Sequence, residues 1–279
     1  MRIGSVKLLD EGGREAAAIE LPSGPILVGD LVPGLSCDLD LVLESGRLDE
    51  VRERLRRGVA RPTARPLAPA PALRRPEKIL GIGLNFRAHA EDLAEAAPSE
   101  EPASFFKPRS TIVGPGDAIR LPPESRRVTA EAELAVVIGA PSRGLADPAG
   151  AVLGYLPALD MTAEDILRRN PRFLTRAKSF DTFLALGQWI VTPDEIGRPL
   201  EAVRVSTVRN GAAAKSAALA AMTFGPRELV AFHSRVFPWR PGDLLLTGTP
   251  GAVVIEPGDE VAAIVEGVGS VACRVARGA

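Results

Sequence analysis

The stretch VTAEAELAVVIG, residues 128–139, carries the strongest structural signal in the chain. From Leu134 onward it is apolar and predicts a buried strand. It opens, however, with Glu131 and Glu133, and side chains two positions apart on a strand point to the same face. Like charges that close repel, and burying them is costly unless a positive charge compensates. The pattern therefore predicts a positive group between the two glutamates.

A third carboxylate, Asp160, ends the apolar run VLGYLPALD further along the chain. Acids at the ends of apolar strands can converge on one point. Three carboxylates with no Cys or His nearby suit a hard divalent cation such as Mg²⁺, Mn²⁺ or Ca²⁺. Two other interpretations remain open from the pattern. Glu131 and Glu133 could face solvent on an edge strand, and Asp160 could cap a helix that begins in TAEDILRR.

The composition excludes several classes of protein. The 279 residues carry 34 Lys and Arg against 35 Asp and Glu, so no basic excess points to nucleic acid. No apolar run approaches the roughly 18–20 residues that span a bilayer, and MRIGSVKLLD lacks the apolar core of a signal peptide. Cys37 and Cys273 are too far apart to suggest a disulfide framework or a metal site. We expect a globular cytoplasmic protein with no nucleic-acid or membrane partner.

Proline divides the chain into two predicted domains. Residues 1–35 read as short strands, RIGSVKLL, AAAIEL and GPILVGDLV, and residues 38–58 as one or two helices. The repeated prolines of residues 59–78 forbid a regular helix and favour an extended connector. We predict a small N-terminal α+β domain over residues 1–75 and a larger domain over residues 76–279.

The larger domain is predicted to be dominated by strands. Apolar runs alternate with turn residues, and the Asn-Gly pair at 210–211 is a hairpin signal. Helical patterns intervene only near 163–169 and 226–236. This favours a mixed α/β but β-dominated fold, a sandwich or roll, over βαβ repeats. The glycine pairs in GIGLNF (81–86) and GVGSVA (267–272) lack the context of a dinucleotide site and are interpreted as turns.

Four other residues could carry chemistry. His89 precedes Asp92 by three positions, so on a helix the acid would orient the imidazole as a base for water. Lys178, in RAKSFDTF, could stabilise charge, and Thr249, in TGTPG, could hold a substrate carboxylate at a tight turn. Solvated side chains and an ordinary turn would explain the same patterns. The second histidine, His233, lies on a predicted helix and is interpreted as structural.

The order of these motifs is more specific than any one of them. The chain runs GIGLNFRAHAEDL, SFFKPRSTIVGPGDAIRLP, EAELAVVIG, GYLPALDMTAEDIL, RAKSFDTFLALGQWIVT and PGDLLLTGTPGAV. From about Lys78 to the C-terminus, this series closely resembles the fumarylacetoacetate hydrolase family. The preceding segment looks like the small N-terminal domain that many bacterial members carry.

The resemblance implies a catalytic domain of mixed β-roll or sandwich type, a homodimer and a Mg²⁺ or Mn²⁺ ion. The residues that match the family's functional positions fall into three sets. They are Glu131, Glu133 and Asp160 for the metal, His89, Asp92 and Lys178 for catalysis, and Asn85, Phe86, Asp181 and Thr249 for the substrate.

The sequence departs from the family pattern where the substrate is expected to bind. The pattern D-x-T-x-R-D-x-Q reads DMTAEDIL here, so Glu164 replaces its arginine and Leu167 its glutamine. Phe86 replaces a tyrosine, and Ala130 stands where an aromatic residue often precedes the first metal ligand. A glutamate at 164 would repel a substrate carboxylate unless it pairs with a cation such as Arg168 or Arg176.

The resemblance implies a metal-dependent hydrolase that cleaves a C–C bond in a small 2-oxo or 1,3-dicarbonyl acid of the acylpyruvate type. Two alternatives share the same fold. One is isomerisation or decarboxylation of a 2-oxo dicarboxylate, as in 2-hydroxyhepta-2,4-diene-1,7-dioate isomerases. The other is a metal-binding homologue without activity, which the residues at 164 and 167 make conceivable.

Overall fold

The computed structural model describes residues 1–58, 61–88 and 98–278. Strands dominate this part of the chain, and the helices are short. The strands are β1 (Arg2–Leu8), β2 (Arg14–Glu20), β3 (Ile26–Leu27), β4 (Leu67–Pro69), β5 (Ile79–Gly83), β6 (Ala103–Phe106), β7 (Ile112–Val113), β8 (Ala118–Leu121), β9 (Val128–Ile138), β10 (Val152–Ala163), β11 (Leu184–Leu186), β12 (Trp189–Val191), β13 (Arg204–Arg209), β14 (Ala212–Ala218), β15 (Leu244–Leu246), β16 (Val253–Ile255), β17 (Glu260–Val265) and β18 (Gly269–Arg277). The helices are α1 (Val28–Leu31), α2 (Leu39–Glu44), α3 (Leu48–Arg56), α4 (Glu164–Arg169), α5 (Leu174–Lys178) and α6 (Pro226–Ser234).

The strands form two sheets that pack face to face. The larger sheet runs in the order β3-β2-β1-β12-β10-β9-β15-β5-β6, and the smaller runs β14-β13-β17-β18-β8. Alternate residues of β9, such as Ala132 and Leu134, lie in one apolar core with Val261 and Val271 of the smaller sheet. The Ala132 amide also donates to Oγ1 of Thr207 at 3.0 Å, which ties the two layers together. The predicted β-dominated fold is confirmed.

The opposite face of β9 is buried as well. Ala135 and Val137, which share their face with the two glutamates, pack in a second core with apolar residues of the N-terminal segment such as Ile3 and Val42. A strand covered on both faces reads as a nearly continuous apolar run. This explains why LAVVI follows the two acids without interruption.

The N-terminal segment joins the larger sheet directly. β1 pairs antiparallel with β12, with Arg2 opposite Val191, and β2 and β4 flank β1. The segment 38–58, predicted to form one or two helices, contains α2 and α3. The predicted boundary near residue 75 therefore follows a segment that shares a sheet with the rest of the chain, and the division into two domains stays a prediction.

One predicted strand differs from the structure. In GPILVGDLV only Ile26 and Leu27 pair, with β2, and the next four residues turn into α1. Val28 and Leu31, three positions apart, are both buried by this short helix. An apolar run this short can bury its side chains as a strand or as a helical turn, so its pattern does not separate the two.

The predicted turns are present. Asn210 and Gly211, with φ of 51° and 79°, join β13 to β14, as a hairpin turn of the I′ type requires. GVGSVA lies at the turn between β17 and β18 and in the start of β18, and GIGLNF holds the end of β5 and the turn after it. His233 is buried on α6, with Nδ1 2.9 Å from the Leu229 carbonyl oxygen, which supports its structural interpretation. Within the described ranges, no helix is long and apolar enough to cross a membrane.

Candidate metal centre

The register of β9 against β10 brings three carboxylates together. Asp160 lies directly opposite Glu131, and Ala158 lies opposite Glu133, so the three acidic side chains share one face of the sheet. One carboxylate oxygen from each lies within 4.8 Å of the others, and all three residues are buried. β9 is an inner strand between β10 and β15, and Asp160 is part of β10, while the residue that precedes α4 is Ala163. These facts exclude both the solvent-facing edge strand and the helix cap.

Two lysines supply positive charge to this cluster. Lys178 Nζ donates to Glu131 Oε2 at 2.7 Å and to Asp160 Oδ2 at 2.8 Å. Lys107 Nζ lies 2.8 Å from Asp160 Oδ1 and also donates to the main-chain carbonyl of Lys178. Both lysines are buried, and long charged side chains are seldom buried without a partner. We call these five residues, Lys107, Glu131, Glu133, Asp160 and Lys178, the deep cluster.

The ionisation of the deep cluster follows from its burial. Burial, together with the nearby charges of Asp160 and Glu131, raises the pKa of Glu133 well above its ordinary value, although the Gly248 amide donates to its Oε2 at 2.5 Å. Burial alone would lower the pKa of Lys178, but Asp160, Glu131 and Glu133 raise it overall. For Lys107, burial outweighs the attraction of Asp160 and lowers the pKa.

The donor set fits a hard divalent cation. Its three ligand groups are carboxylates, and oxygen is the ligand that Mg²⁺ and Mn²⁺ prefer. Glu131 Oε1 also accepts from Thr162 Oγ1 at 2.8 Å, which fixes the orientation of that carboxylate. Burial is the largest cause of the raised pKa of Glu133, and the charges of Asp160 and Glu131 add to it, so the anionic form of this carboxyl is disfavoured. A divalent cation between the three carboxylates would favour the anionic form.

The deep cluster opens onto a cavity of about 660 Å³. Such a volume accommodates a small organic molecule. Phe105 lies on its wall, with its ring centroid 5.1 Å from Lys178 Nζ, so the ammonium group lies over an aromatic face. Other residues that line the cavity are Ile82, Leu84, Thr129, Glu131, Glu133, Thr162, Glu164, Leu167, Arg168, Pro171, Leu174, Lys178 and Thr249.

The TGTPG turn contributes to the same site. Thr247 Oγ1 donates to the Leu134 carbonyl at 2.8 Å, which anchors the turn to β9. Gly248 has φ of 91°, and a Cβ there would lie 2.9 Å from Cβ of Asn85, so glycine is required. Thr249 is buried, lines the cavity, and its hydroxyl lies 3.2 Å from the Gly251 carbonyl oxygen. The turn therefore places Thr249 on the cavity wall and directs the Gly248 amide to Glu133.

The other predicted substrate residues lie elsewhere. The Asn85 side chain is buried and bonds the Phe224 and Thr247 backbones, so it braces the TGTPG turn. Phe86 packs in the apolar core, and Asp181 is exposed. None of these three lines the cavity. His89 and Asp92 lie outside the described residues, and the functional roles of all five stay predictions.

Glu164 has two cationic partners. Its Oε1 accepts from Arg168 Nη2 at 2.8 Å, and its Oε2 accepts from Nε of Arg127. Arg168 is one of the two partners that the sequence suggests. The second partner in the structure, Arg127, stands immediately before β9, and the register of Val128 with Ala163 places it beside Glu164. The anion at position 164 is therefore compensated, as the sequence argument requires. We call Arg127, Glu164 and Arg168 the mouth cluster.

Sequence reasoning also missed Lys107. The only local signal is that this lysine follows an apolar pair, in SFFKP, at the end of β6. β6 lies on the edge of the larger sheet, paired with β5. Its place beside Asp160 depends on a contact between segments far apart in the chain, which the pattern alone does not reveal.

Comparison with known proteins supports the family that the motifs resemble, through a family model and through a similar curated protein. Residues 78–276 match the family model described as fumarylacetoacetate (FAA) hydrolase C-terminal. The mitochondrial oxaloacetate tautomerase Fahd2a of Rattus norvegicus is 37% identical over 211 residues, which cover 72% of this chain and 67% of the relative.

Solved structures resemble the whole chain. The 5-carboxymethyl-2-hydroxymuconate delta-isomerase of Mycobacterium smegmatis is 32% identical with a TM-score of 0.78, and the match covers 100% of both chains. A maleylpyruvate hydrolase from Sphingobium sp. SYK-6 is 25% identical with a TM-score of 0.80, again over 100% of both chains. These similar proteins are enzymes of three different reaction types.

Proposed function

The chain belongs to the fumarylacetoacetate hydrolase family, and we propose that it is a metal-dependent enzyme that hydrolyses a C–C bond in an acylpyruvate-like 2-oxo acid. The observation that carries this proposal is the deep cluster. Two buried glutamates and a buried lysine line one cavity that is large enough for a small acid, and the third carboxylate, Asp160, is paired with that lysine. This arrangement suits chemistry in which negative charge develops on an oxygen of the substrate.

We propose that Glu131, Glu133 and Asp160 hold Mg²⁺ or Mn²⁺. A bound divalent cation would polarise the carbonyl of a 2-oxo acid and stabilise the enolate that forms from it. The chain's own contribution is to keep the three carboxylates aligned. Asp160 is held from two sides by Lys107 and Lys178, and Glu131 by Thr162 and Lys178.

Lys178 is the residue of the deep cluster best placed to act on the substrate. It lines the cavity, whereas Lys107 lies behind Asp160 with its side chain fully buried. The carboxylates raise the pKa of Lys178, so the ammonium form persists at neutral pH. A fixed positive charge at the cavity wall would favour an oxyanion over the neutral ground state. The Thr249 hydroxyl, also on the wall, would orient the substrate by a hydrogen bond.

The base is proposed from the family resemblance. His89, oriented by Asp92, would take a proton from water while the water oxygen bonds to the distal carbonyl carbon of the substrate. The C–C bond then breaks, and its electron pair stays on the pyruvate-like fragment as an enolate. That enolate takes up a proton to give a 2-oxo acid, and the other fragment leaves as a carboxylic acid.

Isomerisation of a 2-oxo acid is the second candidate. The similarity to an oxaloacetate tautomerase at 37% and to a full-length delta-isomerase at 32% favours it. The same residues would then stabilise the enolate while a proton moves between carbon and oxygen or between two carbons. No water is consumed, so the substrate keeps its mass.

Isotopic labelling separates the two reactions. The metal-loaded protein is incubated with an acylpyruvate and with oxaloacetate in H₂¹⁸O, and the products are resolved by mass spectrometry. Hydrolysis yields pyruvate and a second acid that carries one ¹⁸O in its new carboxylate. Tautomerisation of oxaloacetate is followed by ultraviolet absorbance and leaves the carbon skeleton intact. Accelerated interconversion without fragments would replace the hydrolase proposal with the isomerase.

Loss of activity in a His89 variant has a different meaning from absence of activity in the wild-type protein. Replacement of His89 by alanine should abolish hydrolysis while Mg²⁺ still binds, since His89 is not a proposed ligand. Unchanged turnover in that variant would remove His89 from the mechanism. No turnover of either substrate by the wild-type protein with metal bound would favour a metal-binding homologue without activity.

Two further proposals rest on the resemblance. A homodimer would be seen as twice the monomer mass by light scattering after size exclusion. Cytoplasmic localisation would be seen by fractionation of the source cells. Neither result affects the chemistry proposed for the deep cluster.

A further inference from the structure

Residues from the mouth cluster and from the deep cluster line the same cavity. Glu164 and Arg168 line the cavity together with Glu131, Glu133 and Lys178. Thr162, between Asp160 and Glu164 in sequence, also lines it, so one wall runs from the carboxylates along β10 into α4. Three strand steps of about 3.3 Å and one helix step of about 1.5 Å put the Glu164 backbone on the order of 10 Å from that of Asp160.

The mouth cluster carries one positive charge more than it carries negative. Two guanidinium groups share the single carboxylate of Glu164, one on each oxygen. The Glu164 side chain is 11% exposed, whereas that of Arg168 is 62% exposed. The carboxylate is thus covered by its partners, and the excess positive charge is presented to water by the arginine on the cavity wall.

Arg168 keeps donors for a second anion. A guanidinium group has five N–H donors in a planar fork, and the structure commits Nη2 to Glu164 Oε1. Because the ion pair holds the arginine along the wall, less side-chain entropy is lost when the remaining donors bind a ligand. Leu167 and Leu174, also on the wall, offer only apolar surface to the rest of the ligand.

We propose that Arg168, positioned by Glu164, binds a second carboxylate of the substrate, so that the cavity selects 2-oxo dicarboxylic acids over 2-oxo monocarboxylic acids. This inference rests on the proposed function, because the 2-oxo end of the acid is assigned to the deep cluster. The second carboxylate lies several bonds away from the oxo group, at the mouth of the cavity. Arg168 acts there as a specificity-determining residue, and Glu164 as the residue that positions it.

Arg127 provides a matched control. It pairs with the same carboxylate and carries the same charge, but it does not line the cavity. Replacement of either arginine by methionine leaves the mouth cluster with no net charge and a similar apolar stem. The two variants differ only in whether the lost guanidinium group faces the ligand.

The test is a binding measurement with two acids of equal length. Isothermal titration in the presence of Mg²⁺ compares 2-oxoadipate with 2-oxohexanoate, which lacks only the second carboxylate, and with oxalate, which is too short to reach the mouth. In the wild-type protein we expect 2-oxoadipate to bind about 5-fold more tightly than 2-oxohexanoate, the preference of one partly exposed charge pair.

The variants give the decisive comparison. Arg168→Met should remove the preference for 2-oxoadipate and leave 2-oxohexanoate and oxalate within about 2-fold of wild type, while Arg168→Lys should restore part of the preference. Arg127→Met should keep it. Equal losses in Arg127→Met and Arg168→Met, or an unchanged preference in Arg168→Met, would overturn the proposal. Circular dichroism melts of each variant show whether the fold is kept.

Failure of this inference differs from failure of the proposed function. If the metal-loaded protein binds neither oxalate nor either 2-oxo acid, the assignment of the 2-oxo end to the deep cluster is wrong. If both 2-oxo acids bind with equal affinity, the deep cluster stands and the role of Arg168 is lost.

Discussion

The deep cluster and the mouth cluster show how the same kind of ion pair serves two purposes at two depths of one cavity. In the deep cluster, Lys107 and Asp160 have fully buried side chains, and each charge is held by at least one opposite charge. In the mouth cluster, both arginines are about half exposed around one carboxylate. Water screens the outer pairs much more strongly than it screens the inner ones. Breaking an ion pair should therefore lower the free energy of unfolding much more in the deep cluster than in the mouth cluster. The deep pairs hold the carboxylates in a fixed geometry, whereas the arginines of the mouth cluster can exchange partners.

The largest effect is expected from Asp160→Asn. The amide keeps the shape of the carboxylate but leaves two buried lysines with much less negative charge, which should lower the free energy of unfolding by about 3 kcal/mol or more. Turnover should fall by about 10³-fold or more, because a proposed metal ligand is lost. Urea unfolding and steady-state kinetics measure the two effects.

Asp165→Asn is the control for this change. Asp165 stands on the neighbouring helix α4, where it accepts from Ser125 at 2.5 Å, and it does not line the cavity. Its replacement should lower the free energy of unfolding and the turnover far less than Asp160→Asn does. Equal losses in the two variants would show that the deep cluster is no more sensitive than an ordinary site near it.

The second largest effect is a difference in kcat between variants of the two lysines. Lys178→Met should lower kcat by about 10²-fold to 10³-fold, because the charge on the cavity wall is lost, and Mg²⁺ should bind at least as tightly as in wild type. Lys107→Met should lower stability but reduce kcat by only about 10-fold, because Lys107 acts through Asp160. A kcat as low in Lys107→Met as in Lys178→Met would place both lysines in contact with the reaction.

The third effect is a dependence of stability on pH. The folded chain raises the pKa of Glu133 above its unfolded value, so the folded state binds that proton more tightly. Stability of the metal-free protein should therefore fall as pH rises from the ordinary glutamate value through the raised pKa. Glu133→Gln removes this penalty, so in EDTA its Tm should exceed that of wild type above this window, by about 2–4 °C for each kcal/mol recovered.

Added Mg²⁺ should reverse that order. Binding to the wild-type protein stabilises the folded state by mass action, whereas the glutamine variant lacks one proposed ligand and should gain little. Scanning calorimetry between pH 5 and pH 9, with and without Mg²⁺, follows both trends. A variant that melts like wild type at every pH in EDTA would contradict the raised pKa of Glu133.

The smallest effect is expected at the mouth. Glu164→Gln removes the carboxylate from between two half-exposed arginines, and surface ion pairs contribute about 1 kcal/mol or less. We expect the free energy of unfolding to change by less than about 1 kcal/mol in urea titrations. A loss comparable to that of Asp160→Asn would erase the distinction between the two clusters.

Much of the fold and the carboxylate cluster could be predicted from the sequence. The E-x-E spacing at the start of an apolar run already places Glu131 and Glu133 on one face, because side chains on a strand alternate. The Asn-Gly pair at 210–211 predicts its hairpin for an equally local reason. Asp160 is a candidate because it ends another apolar run, and the resemblance assigns it to the same site, but its position opposite Glu131 depends on a register that no local pattern contains.

The rest could not be predicted, because it depends on contacts between distant segments. Lys107 resembles a surface lysine in SFFKP, and only the folded sheet brings it to Asp160. Arg127 is beside Glu164 through the same β9–β10 register, whereas Arg168, on the same helix as Glu164, was within reach of a local argument. The strand predicted at GPILVGDLV differs because Val28 and Leu31, three positions apart, are buried equally well by one turn of helix.

The central claim is that the deep cluster is a metal site, and Mn²⁺ tests it most directly. Electron paramagnetic resonance measures free Mn²⁺ during a titration of the protein, with oxalate added at the end. The account predicts one bound Mn²⁺ per chain, a spectrum altered by oxalate, and loss of that binding in Glu131→Gln. Binding of the same stoichiometry and affinity in Glu131→Gln, or no binding to the wild-type protein, would contradict it.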